Sequence, residues 1–488
     1  MTETVPLRGN VRFQLLWLGS AVSQLGSELT RLAMPLLVLA LTGSPGLAGV
    51  VAGTRTVAFL LVQLPAGVWV DRWDRRRTLV TAQGLQAAVS ALLALLVATG
   101  QVRAWHFVAL AVLDGLCAAF VGPLRDTAIR GIVPSGQLHA AYAQEESRTH
   151  AAALIGPPLG GLLYGLGMAV PFVVDALTFL AATLFYVLAK VPRRPAGRPY
   201  DPARTDGRTD GGGDGRTGGG EGGGGDGRTD GGAGDRVDGR AGGADRRPGG
   251  RGMRAEAGEA VAWLWRRRGL REVTAAVMVL NLLGGAFLIP LIVLVGERGG
   301  DALTTGTVLA GLGVGGLAGA LLSGRIGRLL PPGRLLLAVV TVFGAALAAT
   351  ALPWGPWWPM VPLVFITLST PSLNVVMNVV VARMVPEEML GRMGAVLSTG
   401  GTALKPLGPV LGGALAAALG GAAALVVLGG LLCLTAVVAA RSGELRGFTG
   451  EEAPAGGAGA ASARRAEETA PDGGEAARAG DGSRPASA

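Results

Sequence analysis

Six charged residues stand inside long apolar runs of this chain: Glu28, Arg31, Arg55, Asp114, Asp175 and Lys405. A charge in an apolar run costs free energy, and chains keep it there for pairing, proton carriage or contact with a charged ligand. At ~1.5 Å of rise per helical residue, the first five fall in one layer near the same end of their runs. Two cations and three acids invite pairing. The acid in excess is suited to hold a proton, because burial raises a carboxyl pKa. Glu28 is the first choice for that role and Asp114 the second, with Asp175, in VDALTF, a third candidate. Arg31 and Arg55 are then either partners in an ion-pair lattice or contacts for a substrate. Lys405 stands in a later run, where proton exchange, an anionic ligand or snorkelling would each suit it. Asn281, Asn374 and Asn378 either line a cavity or hold helices together. Glu145, Glu146 and Arg148 begin the fifth run and read as part of a closure at that end.

Two short motifs accompany these charges. GVWVDRWDRRR (Gly67–Arg77) lies between two runs. Gly67 allows close helix packing, and Arg72, Arg75 and Arg76 are basic. A plain basic anchor needs no acids, so Asp71 and Asp74 point to a latch instead. GPPLGG spans Gly156, Pro157, Gly160 and Gly161. Pro157 removes one helical hydrogen bond, and the glycines let another helix approach closely.

The elements that must position these residues are membrane helices. Half of the 488 residues are hydrophobic, and the mean hydropathy is +0.45. Backbone polar groups have no water partner in lipid, so each long apolar run must be helical. Spans are expected at 12–36, 47–70, 78–99, 105–125, 142–165 and 168–190. Six more follow at 270–296, 303–325, 334–353, 357–379, 393–415 and 420–440. This predicts an all-α membrane protein with twelve transmembrane helices in two six-helix bundles, 1–192 and 253–442. Alternate connections are rich in arginine or nearly free of it, which places the arginine-rich side and both termini in the cytoplasm. Trp105, Trp354, Trp357 and Trp358 mark the other boundary. The stretch 193–252 repeats DGRTDGG-like units and reads as a disordered cytoplasmic linker, as does the tail 443–488. Met253–Leu270 reads as an interfacial amphipathic helix. Cys117 and Cys433 suit core packing, and the three histidines form no metal-ligand cluster.

The chain also repeats itself. IVPSGQL and GPPLGG at 132–161 return 252 positions later as MVPEEML and GPVLGG. At the same offset Ala66 and Gly67 match Ala318 and Gly319, so Asp71 maps to Ser323. Two alike halves in an apolar chain are a common plan of secondary transporters. Most buried charge falls in the first half, which predicts that this half holds the ion coupling and the latch.

GVWVDRWDRRR resembles the signature loop of the major facilitator superfamily, G-x-x-x-D-R-x-x-R-R, although Asp74 stands where that motif usually has glycine. The resemblance implies a cytoplasmic gate at Gly67, Asp71, Arg72, Asp74, Arg75 and Arg76. GPPLGG is similar to the antiporter motif of proton-coupled exporters in that superfamily. Arg12–Ser44 looks like the first helix of the enterobactin-exporter and macrolide-efflux branch. Together they imply a plasma-membrane transporter working by alternating access, without a cofactor beyond the proton gradient. Its expected partners are lipid, protons and a small amphipathic substrate such as a drug, macrolide or siderophore, with no nucleic acid, and the chain is expected to be a monomer. An importer of the same fold and a non-transporting sensor or scaffold are the alternatives. An enzyme is not expected, since no nucleophile–base set, P-loop or cofactor fingerprint is visible.

Overall fold

The structure, a computed structural model, describes residues 7–189, 268–368, 370–374 and 401–441, and within them the side chains outside 64–72, 268–270 and 327–329. Twelve α-helices are resolved in this part: α1 Val11–Thr42, α2 Pro45–Arg72, α3 Arg75–Ala98, α4 Ala104–Ile132, α5 Leu138–Leu166, α6 Val170–Leu188, α7 Arg268–Ala286, α8 Leu288–Glu297, α9 Ala302–Leu329, α10 Pro332–Ala349, α11 Met360–Leu368 and α12 Leu407–Arg441. No strand occurs among the described residues. Among the described residues nine stretches are long and apolar enough to cross a membrane by length and composition. The linker, the tail, Met253–Leu270 up to residue 267, and all of 375–400 including Asn378 lie outside the described residues.

Local chemistry sets the helix ends. The Asn10 side chain accepts from the Phe13 amide at 3.2 Å and starts α1. α1 continues to Thr42, past the expected end at 36. Pro35 lies inside it, and the stop comes only at Gly43, which takes a left-handed φ of 64° as a C-terminal glycine does. Asp74 and Asp301 cap α3 and α9 in the same way as Asn10, through the amides of Arg77 and Thr304. α7 and α8 form one crossing, Arg271–Glu297; Pro290 has no N–H for the Ala286 carbonyl. α12 contains the end of span eleven and all of span twelve, separated by a kink at Gly420, φ 81°.

Lys405 is a correction. It was expected deep in a helix, but it is exposed and lies in a turn ahead of α12. The bonds there run three residues back: Lys405 to Thr402, Leu407 to Leu404 and Gly408 to Lys405. Pro406 and Pro409 supply the reason, since neither can donate the four-residue bond that would continue a helix.

The halves meet along two glycine seams related by the internal repeat. Within the first half, Gly156 of α5 faces Glu28 of α1, and a Cβ on Gly160 would lie 2.8 Å from the Leu29 carbonyl oxygen. Within the second, Gly408 and Gly412 of α12 face Leu282 and Ala286 of α7. The last glycine of each motif faces the other half: Gly161 meets the Ala302 carbonyl of α9, and a Cβ on Gly413 would lie 2.5 Å from the Pro45 carbonyl of α2. One turn on, Gly306 packs on the Pro157 carbonyl and Gly49 on the Pro409 carbonyl. The motif thus seats two neighbours at once, one from its own bundle and one from the other.

These contacts correct the repeat register. Pro45 and Ala302 are equivalent, as are Gly49 and Gly306, so α2 and α9 correspond at an offset of 257. The offset of 252 holds for α5 and α12. Gly67 therefore corresponds to Gly324 and Asp71 to Arg328. The connections between duplicated helices have changed length by five residues, which a single offset cannot follow.

Packing between halves is concentrated at the arginine-poor end. One apolar core joins Leu32 of α1 to Leu291, Val308 and Leu425; another joins Leu37 and Val51 to Ile289 and Ala416. At the arginine-rich end the core of Phe13, Leu79, Leu124, Ile129 and Tyr186 comes from the first half alone. Among the described residues, then, the apolar cores shared by the two halves lie at the arginine-poor end.

Candidate functional site

The five charges of the first half do come together near the middle of the bundle. Arg31 Nη2 lies 2.7 Å from Glu28 Oε2. Arg55 Nε lies 2.6 Å from Asp114 Oδ2, and Gln86 donates to Asp114 Oδ1 at 2.9 Å. A polar chain extends from there: Gln83 donates to Gln86 at 3.2 Å, and Ser23 of α1 donates to Gln83 at 3.0 Å. The Arg55 side chain is 46% exposed, yet it sits within electrostatic reach of Asp114, Asp175 and Glu28.

Asp175 differs from the other acids. It is 3% exposed and abuts Gly26, where a Cβ would lie 2.5 Å from Asp175 Oδ1. Ser90 donates to Oδ2 at 2.7 Å. Oδ1 has no hydrogen-bond donor; the nearby Thr30 hydroxyl points its bonds at the Gly26 and Ser27 carbonyls. With Glu28 on Arg31 and Asp114 on Arg55, Asp175 is the acid left without a cation among the described members of this layer.

A second buried layer lies about two turns nearer the arginine-rich end. Arg148 is 5% exposed. It binds Glu145 at 2.7 Å and the Ser20 carbonyl at 2.7 Å. Arg125 of α4 reaches the same Glu145 oxygen at 3.2 Å, and Tyr186 of α6 meets the Ser20 hydroxyl at 3.0 Å. Glu145, Glu146 and Arg148 are expected from the sequence to help a closure at the arginine-rich end. The described partners of Glu145 and Arg148 tie α1, α4, α5 and α6 into one bundle. The contributions of Arg125, Tyr186, Gln83, Gln86 and Ser90 were missed. Gln83, Gln86 and Ser90 recur at helical spacing on an apolar helix, a signal that periodicity could have exposed.

The loop motif is described only in part. The side chains of Gly67, Asp71 and Arg72 lie outside the described residues. Asp74 caps α3 and lies 3.9 Å from Arg77. Arg76 donates to the Val187 carbonyl of α6 at 2.8 Å, so it fastens the loop to its own bundle. Asn281 donates to the Gly401 carbonyl at 3.0 Å, joining α7 to the segment before α12. Asn374 is exposed. No group of three or more metal-ligating side chains occurs among the described residues.

Two bundles related by repeat, joined by glycine seams and carrying charge at their centre, agree with the comparisons. The family model of the Major Facilitator Superfamily matches residues 16–269 and 274–466. The chain belongs to the major facilitator superfamily. As a member it is a multi-pass membrane transporter and not an enzyme. The multidrug efflux pump Tap of Mycobacterium tuberculosis (strain ATCC 25618 / H37Rv) is 29% identical over 204 residues, 40% of this chain and 48% of Tap. Macrolide efflux protein A of Streptococcus pyogenes is 24% identical over 187 residues, 38% of this chain and 45% of that protein. The match thus spans about half the length of these relatives. Among solved structures, a bacterial homolog of the human lysosomal transporter Spinster, inward-facing and unoccupied, superposes with a TM-score of 0.63 at 14% identity, covering 93% of this chain and all (100%) of that one. The nucleoside transporter NupG gives 0.61 at 12% identity, covering 88% and 98%. These structures share the fold of this major facilitator protein.

Proposed function

We propose that this chain is a proton-driven exporter of the plasma membrane, with the arginine-rich side and both termini in the cytoplasm. In that orientation the cores shared by the two bundles lie on the outer side, which supports an inward-open state. The substrate is a small amphipathic molecule, and the relatives named for multidrug and macrolide efflux support that class.

The observation that carries the reading is Asp175. A carboxylate so deeply buried, with no ion-pair partner among the described residues and one oxygen without a donor, is expensive to keep charged. Protonated, it can donate a hydrogen bond or sit neutral against Gly26. The layer therefore changes charge by one without any ion pair breaking. Arg55 and Asp114, linked to α1 through Gln86, Gln83 and Ser23, would sense that change. Proton entry from outside then favours one arrangement of α1 against α3 and α6, and release to the cytoplasm favours the other. A ligand or proton moves such an equilibrium only by binding the two states unequally.

The test uses inverted membrane vesicles and radiolabelled erythromycin. Acidifying the vesicle interior should drive accumulation, and Asp175→Asn should lower the driven component at least ~10-fold, about 1.4 kcal/mol. Substrate exchange without a gradient should survive in that variant. Accumulation in right-side-out vesicles alone would make the protein an importer.

A further inference from the structure

His150 occupies the face of α5 that meets α9, inside the seam between the halves. A Cβ on Gly316 of α9 would lie 3.4 Å from His150 Nδ1. On its other side His150 Nε2 lies 3.1 Å from Oε1 of Glu146, one turn nearer the arginine-rich end. The Glu146 side chain is 71% exposed and that of His150 21%. The pair therefore sits where the described seam gives way to exposed surface. The first five charges lie elsewhere, and the mechanism above makes no use of either residue.

Among the described residues the surroundings of the pair are short of charge, with His139 and Tyr142 further titratable groups of α5 at its arginine-rich end. Opposite it α9 offers glycine at 313 and 316, with Arg325 its first charge, nine residues beyond Gly316. On α5 itself Glu145 and Arg148 are committed to Arg125 and Ser20. α1 brings Glu28 against Gly156, six residues outward of His150, or ~9 Å along the helix, and Glu28 is held by Arg31. The titratable groups of α6, Asp175 and Tyr186, are bound to Ser90 and Ser20, and α4 supplies Arg125 to Glu145.

We infer that His150 and Glu146 form a second proton site, carried on the moving seam, which is loaded when the arginine-rich side closes and emptied when it opens. The inference rests on the exporter reading for its direction. With that side open, water hydrates the Glu146 carboxylate. Closure swings the inner half of α9 over the pair and removes that water. A pair bearing net negative charge is costly in such a place, whereas the pair with one added proton is neutral overall. Closure therefore takes up one proton, held on either partner, and reopening returns it to the cytoplasm. The sense agrees with inward proton flow. Histidine suits the task because its charge changes near neutral pH.

The experiment follows the seam directly and needs no transported substrate. The full chain, with Cys117 and Cys433 replaced by serine, carries spin labels at Ala143→Cys on α5 and Leu321→Cys on α9. Distance distributions are recorded in nanodiscs from pH 8 to pH 5. The expected result is a shift of population from the longer to the shorter distance as pH falls, retained in Asp175→Asn and lost in both His150→Gln and Glu146→Gln. Glu146→Gln changes an exposed side chain, so it keeps the test valid where His150→Gln disturbs packing. A shift absent from the parent, or unchanged in both seam variants, or abolished by Asp175→Asn alone, would overturn the site. If the seam variants lose the shift while vesicles show no proton-driven transport, the second site stands and the exporter reading falls.

Discussion

Asp175 and Arg148 show how similar burial leads to different roles. Arg148 is neutralised by Glu145, spends a second nitrogen on the Ser20 carbonyl and shares its acid with Arg125. Every described helix of that layer is held by it, so its role is to make four helices one body. Removing one partner of a buried pair leaves the other charge uncompensated, at about 3–5 kcal/mol, whereas replacing both with apolar residues can be nearly neutral. Glu145→Leu, which strands Arg148 and Arg125 together, should therefore lower the thermal midpoint in detergent strongly, and Arg148→Met should lower it less, because Arg125 still compensates Glu145. Asp175 has the opposite design: one oxygen bonded and the other bare. The sequence places the same five charges in one layer and takes Glu28 first as proton carrier; in the structure Glu28 pairs with Arg31 and Asp175 has no ion-pair partner among the described residues. Pairing decides which acid is spare, and pairing depends on helix rotation: Arg31 serves Glu28 on its own helix, while Arg55 reaches across to Asp114. Residue types alone do not contain that choice.

At the scale of elements, the ends and breaks of helices were the readable part wherever a specific side chain makes them. Gly43, Gly167 and Gly420 all fall within the arginine-free connections expected from composition. The turn at Lys405 was not anticipated, although Pro406 and Pro409 were in plain view; two prolines three apart delete two helical bonds, and an apolar run masks that loss. The α9 cap gives a test of element stability with a defined sign. The Thr304 hydroxyl and then its amide hold the Asp301 carboxyl below the ordinary carboxylate value. Because the folded-state value is depressed, the stabilisation is complete above the unfolded value, ~3.9, and is lost as pH falls through the lower folded value. Asp301→Ala should cost about 1 kcal/mol near neutral pH. Melting curves in detergent between pH 6 and pH 3 should show the gap to the parent narrowing at the acid end, and the Asp301→Asn variant, which keeps a capping oxygen, should not narrow in that way.

The whole molecule is duplicated in scaffold and single in charge. GPPLGG and GPVLGG do the same mechanical work, each seating one helix of its own bundle and one of the other, whereas the buried ion pairs belong to the first half alone among the described residues. The repeat was legible because the same close approach demands the same glycines twice. The 257 register of α2 and α9 was not, because helix contacts fix it and connection lengths drift. Symmetric seams imply that either one can act as a hinge for opening the arginine-poor side, which the proposed orientation puts outside, and that opening is complete only when both yield. A methyl group at Gly161 would press on the Ala302 carbonyl, and one at Gly413 on the Pro45 carbonyl. Leu32 reports the result, since it is 1% exposed within the core that joins the halves. In a chain with its native cysteines replaced and Leu32→Cys introduced, an impermeant maleimide added from outside should label the parent slowly. Gly161→Ala or Gly413→Ala should raise the labelling rate modestly, and the pair together should raise it by more than the product of the two single effects. Equal labelling in all four chains would mean that the seams do not hold the outer side shut, and simple multiplication of the single effects would mean that the two hinges move independently.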